Sequence, residues 1–499
     1  MPTATSTLTR YQMYIDGQWC AAASGATFES ENPYTGQPWA VLPRGNAADV
    51  DKAVQAAHKA FTSGEWPKLT ASRRGALLRK LGDLISEQST VLAEIEVRDN
   101  GKLYAEMSMQ TAYLPQWYYY YGGLADKVEG AVIPSDKPDV FNYTRYEPLG
   151  VVAAIVPWNS PLLLMTWKLA PALAAGNTVV IKPSEFTSAS TLEFMRLVEQ
   201  AGFPPGVVNV VTGFGAETGE SLVTHPLVAK VAFTGSDATG QKIYEAAARG
   251  LKRVSLELGG KSPNIVFDDA NLDNAVKGVI SGIFAATGQT CIAGSRLLVQ
   301  KSMHDQFVDR LVALARTAQM GDPMLADTQV GPVTTKPQFE KILSYLSIAK
   351  DEGAEAVLGG SRATRSECGD GWFVEPTIFT NVNNRMRIAQ EEVFGPVLAV
   401  IPFEDEEEAI AIANGVIYGL AAGVWTESMK RTFAMAERLQ AGTVWVNTYR
   451  AVSYLSPFGG YKRSGLGRES GQEMLKEYLQ VKSVWISHAS TVPNPFVMR

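Results

Sequence analysis

Few of the features that staple, anchor or charge a protein are present here, and each shortage narrows what the chain can be. Its 499 residues hold three cysteines, Cys20, Cys291 and Cys368, too few and too far apart for a disulfide framework or a zinc site. The four histidines, His58, His225, His304 and His488, are scattered and add no metal motif, so no metal is expected. Such cysteine usage points to a reducing, cytoplasmic setting. Positive charge is short as well: the formal balance of −6 gives no electrostatic footprint for nucleic acid or an anionic membrane. Residues 1–10 contain no apolar run of the kind a secretory signal needs. The one long uncharged stretch, 149–167, has Pro157, Asn159, Ser160 and Pro161 at its middle, where backbone in lipid must stay hydrogen-bonded. It reads as a strand, a loop and a helix of a soluble protein.

Two nucleotide signatures are missing too. Gly213 and Gly215 are followed by Gly219, one residue late for the Gly-x-Gly-x-x-Gly fingerprint. The stretch 235–242 imitates a phosphate loop but has Gln241 where lysine is required, which excludes nucleotide triphosphate hydrolysis.

What is present is an ordinary α/β composition, 46% hydrophobic and 19% charged, in a chain long enough for two to four domains. The first 120 residues read as mostly helical, over 47–61, 71–97 and 102–121, and 131–146 reads as a hairpin excursion. From residue 150 apolar β-branched runs at 151–156, 178–181, 207–211, 230–233 and 253–258 alternate with helical patterns at 161–175, 187–201, 216–223 and 237–248. That rhythm means a parallel sheet covered on both faces, whose ligands gather at the carboxyl ends of the strands. A further strand at 262–267 leads into a helix capped by Asp269 or Asn271 and ended by Gly288. A second alternation follows, with strands near 296–300, 377–379, 397–402, 421–425 and 443–446. The pattern at 478–486 is a terminal strand detached from its own sheet, which suggests pairing with another subunit.

Cys291 lies in the Gly-bounded loop 287–296, where a thiol has room to act; as a lone cysteine it reads equally well as a small core hydrophobe. A nucleophile needs a base and an oxyanion donor. None of the histidines sits among other functional residues, and Glu257, ending a buried strand before Gly259-Gly260, is the better base; its alternative is a salt bridge to Lys261 or Arg253. Asn159, in a proline-bracketed loop, offers an amide donor or plain turn chemistry. The Gly235-Ser236 turn opens a helix and is a natural anion site. Glu185 is placed either to accept ribose hydroxyls or to neighbour a helix cap.

Seven motifs, in this order along nearly the whole chain, resemble the NAD(P)-dependent aldehyde dehydrogenase superfamily. They are Pro157-Trp158-Asn159-Ser160-Pro161, Lys182-Pro183-Ser184-Glu185, Phe233-Thr234-Gly235-Ser236, Leu256-Glu257-Leu258-Gly259-Gly260-Lys261, Gly288-Gln289-Thr290-Cys291, Glu391-Glu392-Val393-Phe394-Gly395-Pro396 and Ser456-Pro457-Phe458-Gly459-Gly460-Tyr461-Lys462. The resemblance implies an α/β fold. Its parts would be a Rossmann-type parallel-sheet cofactor domain (1–127 and 150–260), an α/β catalytic domain (261–463) and a small oligomerisation β-sheet (128–149 and 478–499), with 464–477 connecting. It implies that Cys291 attacks an aldehyde, that Asn159 and the Cys291 amide hold the oxyanion, and that hydride passes to a nicotinamide. Glu257 would then activate the water that releases a free acid, which CoA-acylating relatives cannot do because they lack that glutamate. Lys168 resembles a buried lysine near the centre. Lys182 and Glu185 resemble adenosine-ribose contacts, Ser236 a pyrophosphate contact, Trp158 part of the adenine-side cleft and Glu392 the nicotinamide-ribose ligand. Ile155, Pro157, Ser184, Phe233, Gly235, Leu258, Gly259 and Phe394 complete the cofactor bed. Glu185 would accept a 2′,3′-diol and repel a 2′-phosphate, so NAD is expected over NADP.

For the aldehyde, Ser160, Ala285 and Val452 stand at positions often aromatic in the family. With Trp117, Leu164, Trp167, Thr290, Ile292, Leu455 and Phe458 they imply a roomy, mainly apolar tunnel for long aliphatic or aromatic aldehydes, each buried methylene adding about 0.8 kcal/mol. Arg450 would either pair with a semialdehyde carboxylate or hold its loop, the latter preferred. The partners implied are a small aldehyde and other copies of the chain, a tetramer rather than a dimer, with neither nucleic acid nor membrane. A cysteine acyl-transferase or hydrolase without redox chemistry is the remote alternative.

Overall fold

Two parallel sheets, one after the other along the chain, organise the molecule; the computed structural model describes residues 8–492 and 494–496, so 1–7, 493 and 497–499 of the segments predicted above lie outside the described residues. The first sheet has eight strands, five of them parallel: Val151–Ile155, Thr178–Lys182, Val208–Val210, Val228–Thr234 and Arg253–Glu257. In space they run fifth, fourth, first, second, third. The chain therefore builds outward from Val151–Ile155 in one direction, returns, and builds outward in the other. Between Val151–Ile155 and Val228–Thr234 two connections diverge, and that switch point leaves a crevice at the strand carboxyl ends.

The core strands are buried on both faces, which is why their sequences are continuous apolar runs without alternation. Helix Pro161–Ala175 is buried along nearly its whole length, opening on Pro161 and closing at the left-handed Gly176. The second sheet has seven strands in the order Glu355–Leu358, Thr377–Thr380, Val397–Phe403, Arg296–Gln300, Pro263–Val266, Ala421–Trp425, Thr443–Val446, all parallel except the first pair. Among the described residues no helix is long and apolar enough to cross a membrane, and no three His, Cys, Asp or Glu side chains are grouped to hold a metal ion.

Several expectations need correcting. The N-terminal region is not mostly helical at its start: five strands precede residue 44. The hairpin Met13–Ile15/Gln18–Cys20 turns at Asp16-Gly17, both with positive φ, a strong hairpin signal that helical periodicity elsewhere masked. The helix expected over 102–121 is two, Tyr104–Tyr113 and Pro115–Leu124, because Pro115 cannot donate its backbone hydrogen bond. The helix before Cys291 is Leu272–Phe284, capped by Asn271 rather than Asp269, and it stops four residues short of Gly288. Segment 464–477 is more than a connection, since Gly465–Leu466 pairs with Arg253–Glu257 at the edge of the first sheet. The terminal strand, Leu479–Ser487, pairs antiparallel with Val140–Pro148 of its own chain, and Val132–Ile133 completes that small sheet.

Candidate active site

The crevice at the switch point opens into a cleft between the two sheets. Pro157, Trp158 and Asn159 line it from one strand end, Thr234, Gly235 and Ser236 from the neighbouring one, and Leu258 and Gly259 from the next. Cys291 and Leu164 also line it, with Gln338 and Lys341 of helix Lys336–Asp351 and Glu392 and Phe394 of the loop before strand Val397–Phe403. The Trp158 and Phe394 rings meet edge to face at 5.3 Å. At Gly259 the glycine is needed for close approach: a Cβ there would fall 2.4 Å from Glu392 Oε2, while the Gly260 N–H donates to Glu392 Oε1 at 2.9 Å.

The loop that leads to Cys291 is held in an unusual backbone. Ala286 and Thr287 both adopt left-handed φ values of 53°, uncommon for residues with a Cβ, and both are tied down. The Ala286 N–H donates to Glu106 Oε1 at 2.8 Å, and the Thr287 hydroxyl donates to the Gly331 carbonyl at 3.1 Å. The Gln289 side chain donates to the Pro332 carbonyl and accepts from the Thr334 N–H. Asn159 Nδ2 donates one hydrogen to the Gln289 carbonyl at 3.0 Å, leaving its second N–H for the cleft. Burial, then the Glu392 and Glu257 carboxyls, push the Cys291 thiol up to about 12, with Lys102 pulling the other way.

Glu257 ends its strand behind the cleft, buried, with neither oxygen hydrogen-bonded. A Cβ on Gly459 would lie 2.8 Å from Glu257 Oε1, so the carboxyl packs against that turn. Burial and the nearby Glu469 raise it well above the ordinary carboxyl range, against the opposing pull of Lys168 and Arg468. The alternative, a salt bridge to Lys261 or Arg253, is not formed among the described residues. Lys168 is fully buried, and its ammonium donates at 2.7 Å to both Thr234 Oγ1 and Glu469 Oε1. Glu469 is a partner that no motif flagged.

Of the remaining cofactor candidates, Lys182 and Glu185 form an ion pair at 3.1 Å beyond the second strand, with Ser184 between them in sequence. Ile155 ends its strand just before Pro157, Phe233 underlies Gly235, and the Ser236 hydroxyl accepts from Thr239 N as the cap of helix Asp237–Ala248. On the substrate side Trp167, Ile292 and Phe458 are buried, Ala285, Thr290, Arg450 and Val452 are partly exposed, and Leu455 lies on the surface. Trp117 is core, not wall: it is 0% exposed and its indole donates to Ser470 Oγ at 3.0 Å. The rings of Tyr113, Tyr120 and Tyr454 pack together around Trp117. Ser160 is also occupied, accepting from Lys102 Nζ at 2.7 Å. Sequence reading passed over Lys102 because a lysine beginning a helical pattern looks like solvated surface.

The pattern of the aldehyde dehydrogenase family matches residues 19–484. The chain is 48% identical over 493 residues to (Z)-2-((N-methylformamido)methylene)-5-hydroxybutyrolactone dehydrogenase of Acinetobacter baylyi, covering 98% of this chain and 100% of that one. It is 46% identical over 478 residues to human mitochondrial aldehyde dehydrogenase, covering 95% and 92%. Betaine aldehyde dehydrogenase of Staphylococcus aureus, solved in complex with NAD+, superposes with a TM-score of 0.96 at 42% identity, over 98% of this chain and 97% of that one. With the fold, the cleft and these relatives in agreement, the chain belongs to the aldehyde dehydrogenase family and is an NAD-dependent aldehyde oxidoreductase.

Proposed function

We propose that the protein oxidises an aldehyde with an apolar body to its carboxylic acid through a thiohemiacetal and a thioester on Cys291. The observation that carries this reading is the meeting of Cys291 and the free Asn159 N–H in one cleft, with the buried Glu257 behind them. The Cys291 sulfur, once deprotonated, adds to the carbonyl carbon, and the oxyanion takes hydrogen bonds from Asn159 and the Cys291 amide. NAD, when bound, supplies the hydride acceptor. Glu257 then turns toward the thioester and removes a proton from water, whose oxygen displaces the thiol and frees the acid. The balance is aldehyde plus NAD+ plus water to carboxylate, NADH and two protons. Lys168, through Thr234 and Glu469, positions the walls around Glu257. For the cofactor, Glu392 beside Gly259-Gly260 fits a ribose diol, Ser236 and Gly235 the pyrophosphate, and Glu185 with Lys182 the adenosine ribose, for which a 2′-phosphate would meet a carboxylate.

The buried Trp167 and Phe458 and the Tyr113–Tyr454 cluster favour an apolar or aromatic substrate body. A second reading, a semialdehyde, has its own support: Lys102 is a buried ammonium with no carboxylate within 4 Å among the described residues, on the same side as Arg450. Arg450 itself reaches the Ser281 carbonyl at 3.4 Å, which suits a loop-holding role. Both cations oppose a quaternary ammonium substrate. NADH formation is expected to be fastest with octanal and phenylacetaldehyde, slower with succinic semialdehyde and slowest with betaine aldehyde, and at least about tenfold lower with NADP for every aldehyde. A preference for succinic semialdehyde would overturn the apolar reading, and equal use of NADP would overturn the role given to Glu185.

The small sheet made by Leu479–Ser487, Val140–Pro148 and Val132–Ile133 is proposed to join copies of the chain, a tetramer favoured. Leu479–Ser487 is an open edge, and Val132, Val481 and Trp485 are 68%, 61% and 56% exposed. Trp485→Glu should lower the mass seen by size-exclusion light scattering; a monomeric wild type would end the idea.

A further inference from the structure

Behind the nucleophile loop a single tyrosine ring occupies a socket made by three separate elements. Tyr449 follows the strand Thr443–Val446 and is bracketed by Asn447 and Arg450, both with positive φ. Its ring lies over Gly423 of a neighbouring strand, Gly282 of the helix before Cys291, and Gly294 of the loop after it. A Cβ on these glycines would fall 2.6, 3.3 and 3.0 Å from the tyrosine side chain, so the room exists only because all three lack one. Trp445 packs on the ring at 4.8 Å and donates its indole N–H to the Ala451 carbonyl. The Tyr449 hydroxyl donates to the carbonyl of Ile292, the residue after Cys291, at 2.9 Å.

We propose that Tyr449 is a positioning residue: its hydroxyl fixes the Ile292 peptide, and with it the Cys291 backbone, in register for attack. The inference rests on the assignment of Cys291 as the nucleophile. The ring is wedged by packing alone, so the hydroxyl is not needed to place it. Without that donor the Ile292 peptide keeps only the bond from its Ala293 N–H to the Thr290 carbonyl at 3.0 Å, and a tilt of that peptide shifts the thiol relative to Asn159. Because Tyr449 runs directly into Arg450, Val452 and Tyr454, the same pin sets the substrate-side loop against the nucleophile loop.

Tyr449→Phe keeps the ring and removes the hydroxyl that bonds the Ile292 carbonyl. It is expected to lower kcat about tenfold and to slow carbamidomethylation of Cys291, followed by peptide mass spectrometry, by a similar factor. The KM for NAD and the melting temperature should stay unchanged. If Tyr449→Phe alkylates and turns over within twofold of wild type, or if its losses track a fall in melting temperature, the proposal is wrong. Failure of the nucleophile assignment looks different: wild type fully alkylated at Cys291 would still form NADH.

Discussion

Cys291→Ala is expected to remove NADH formation almost entirely, lowering kcat/KM by at least about 10⁴-fold, because loss of a covalent nucleophile leaves only binding and the oxyanion donors. The protein should stay folded, since the Cys291 sulfur is hydrogen-bonded to no other side chain and the loop is held through Ala286, Thr287, Gln289 and Ile292 instead. Cofactor binding should survive as well, because the residues argued to hold it lie on other strand ends. Steady-state NADH production by equal amounts of folded wild type and variant decides the matter, and a variant within tenfold of wild type would remove the thiol from the mechanism.

The second large effect separates the two halves of the reaction. Glu257→Gln keeps the shape of the buried side chain but removes the base, so acylation should proceed while hydrolysis stalls. Rapid mixing should reveal a burst approaching one NADH per site, followed by a steady state about 10²- to 10⁴-fold slower, with acylated Cys291 visible by mass spectrometry. A steady state like that of wild type would falsify the assignment. The pH dependence follows from the same burial. The Glu257 carboxyl is held well above its ordinary range, chiefly by desolvation, and the Cys291 thiol is pushed up to about 12 by the same cause. In the proposed mechanism both groups act in their deprotonated forms, so lowering the pH protonates both and raising it frees both. The rate should therefore climb from pH 6 to pH 9 in wild type. In Glu257→Gln the burst rate should still climb with the thiol, while the slow phase loses the part of its dependence that the carboxylate supplied.

The division between what was legible and what was not runs along physical lines. Long buried parallel strands announce themselves, since a strand covered on both faces must be apolar throughout, and 151–156 and 253–258 fell within a residue or two of the observed strands. The short N-terminal strands did not, because two or three residues carry no period and exist only through pairing; Met13–Ile15 is a strand because Val210 and the Gln18–Cys20 arm flank it. Trp117 misled for a related reason: an aromatic near a candidate tunnel can line it or back it, and only packing decides.

Sequence by itself determined the two α/β alternations, the ligand-bearing strand ends and the residue types at Cys291, Asn159, Glu257 and Glu392, because polarity and spacing along one strand end are local properties. Tertiary structure alone decided how those groups stand to one another. It brought Lys168 to Glu469, 301 residues away, packed Glu257 against Gly459, set Lys102 against Ser160, and seated Tyr449 under Ile292. Desolvation and hydrogen bonding depend on which atoms surround a group in space. The proton affinity of a buried carboxyl or thiol is therefore a property of the fold, not of the residue or its neighbours in the chain.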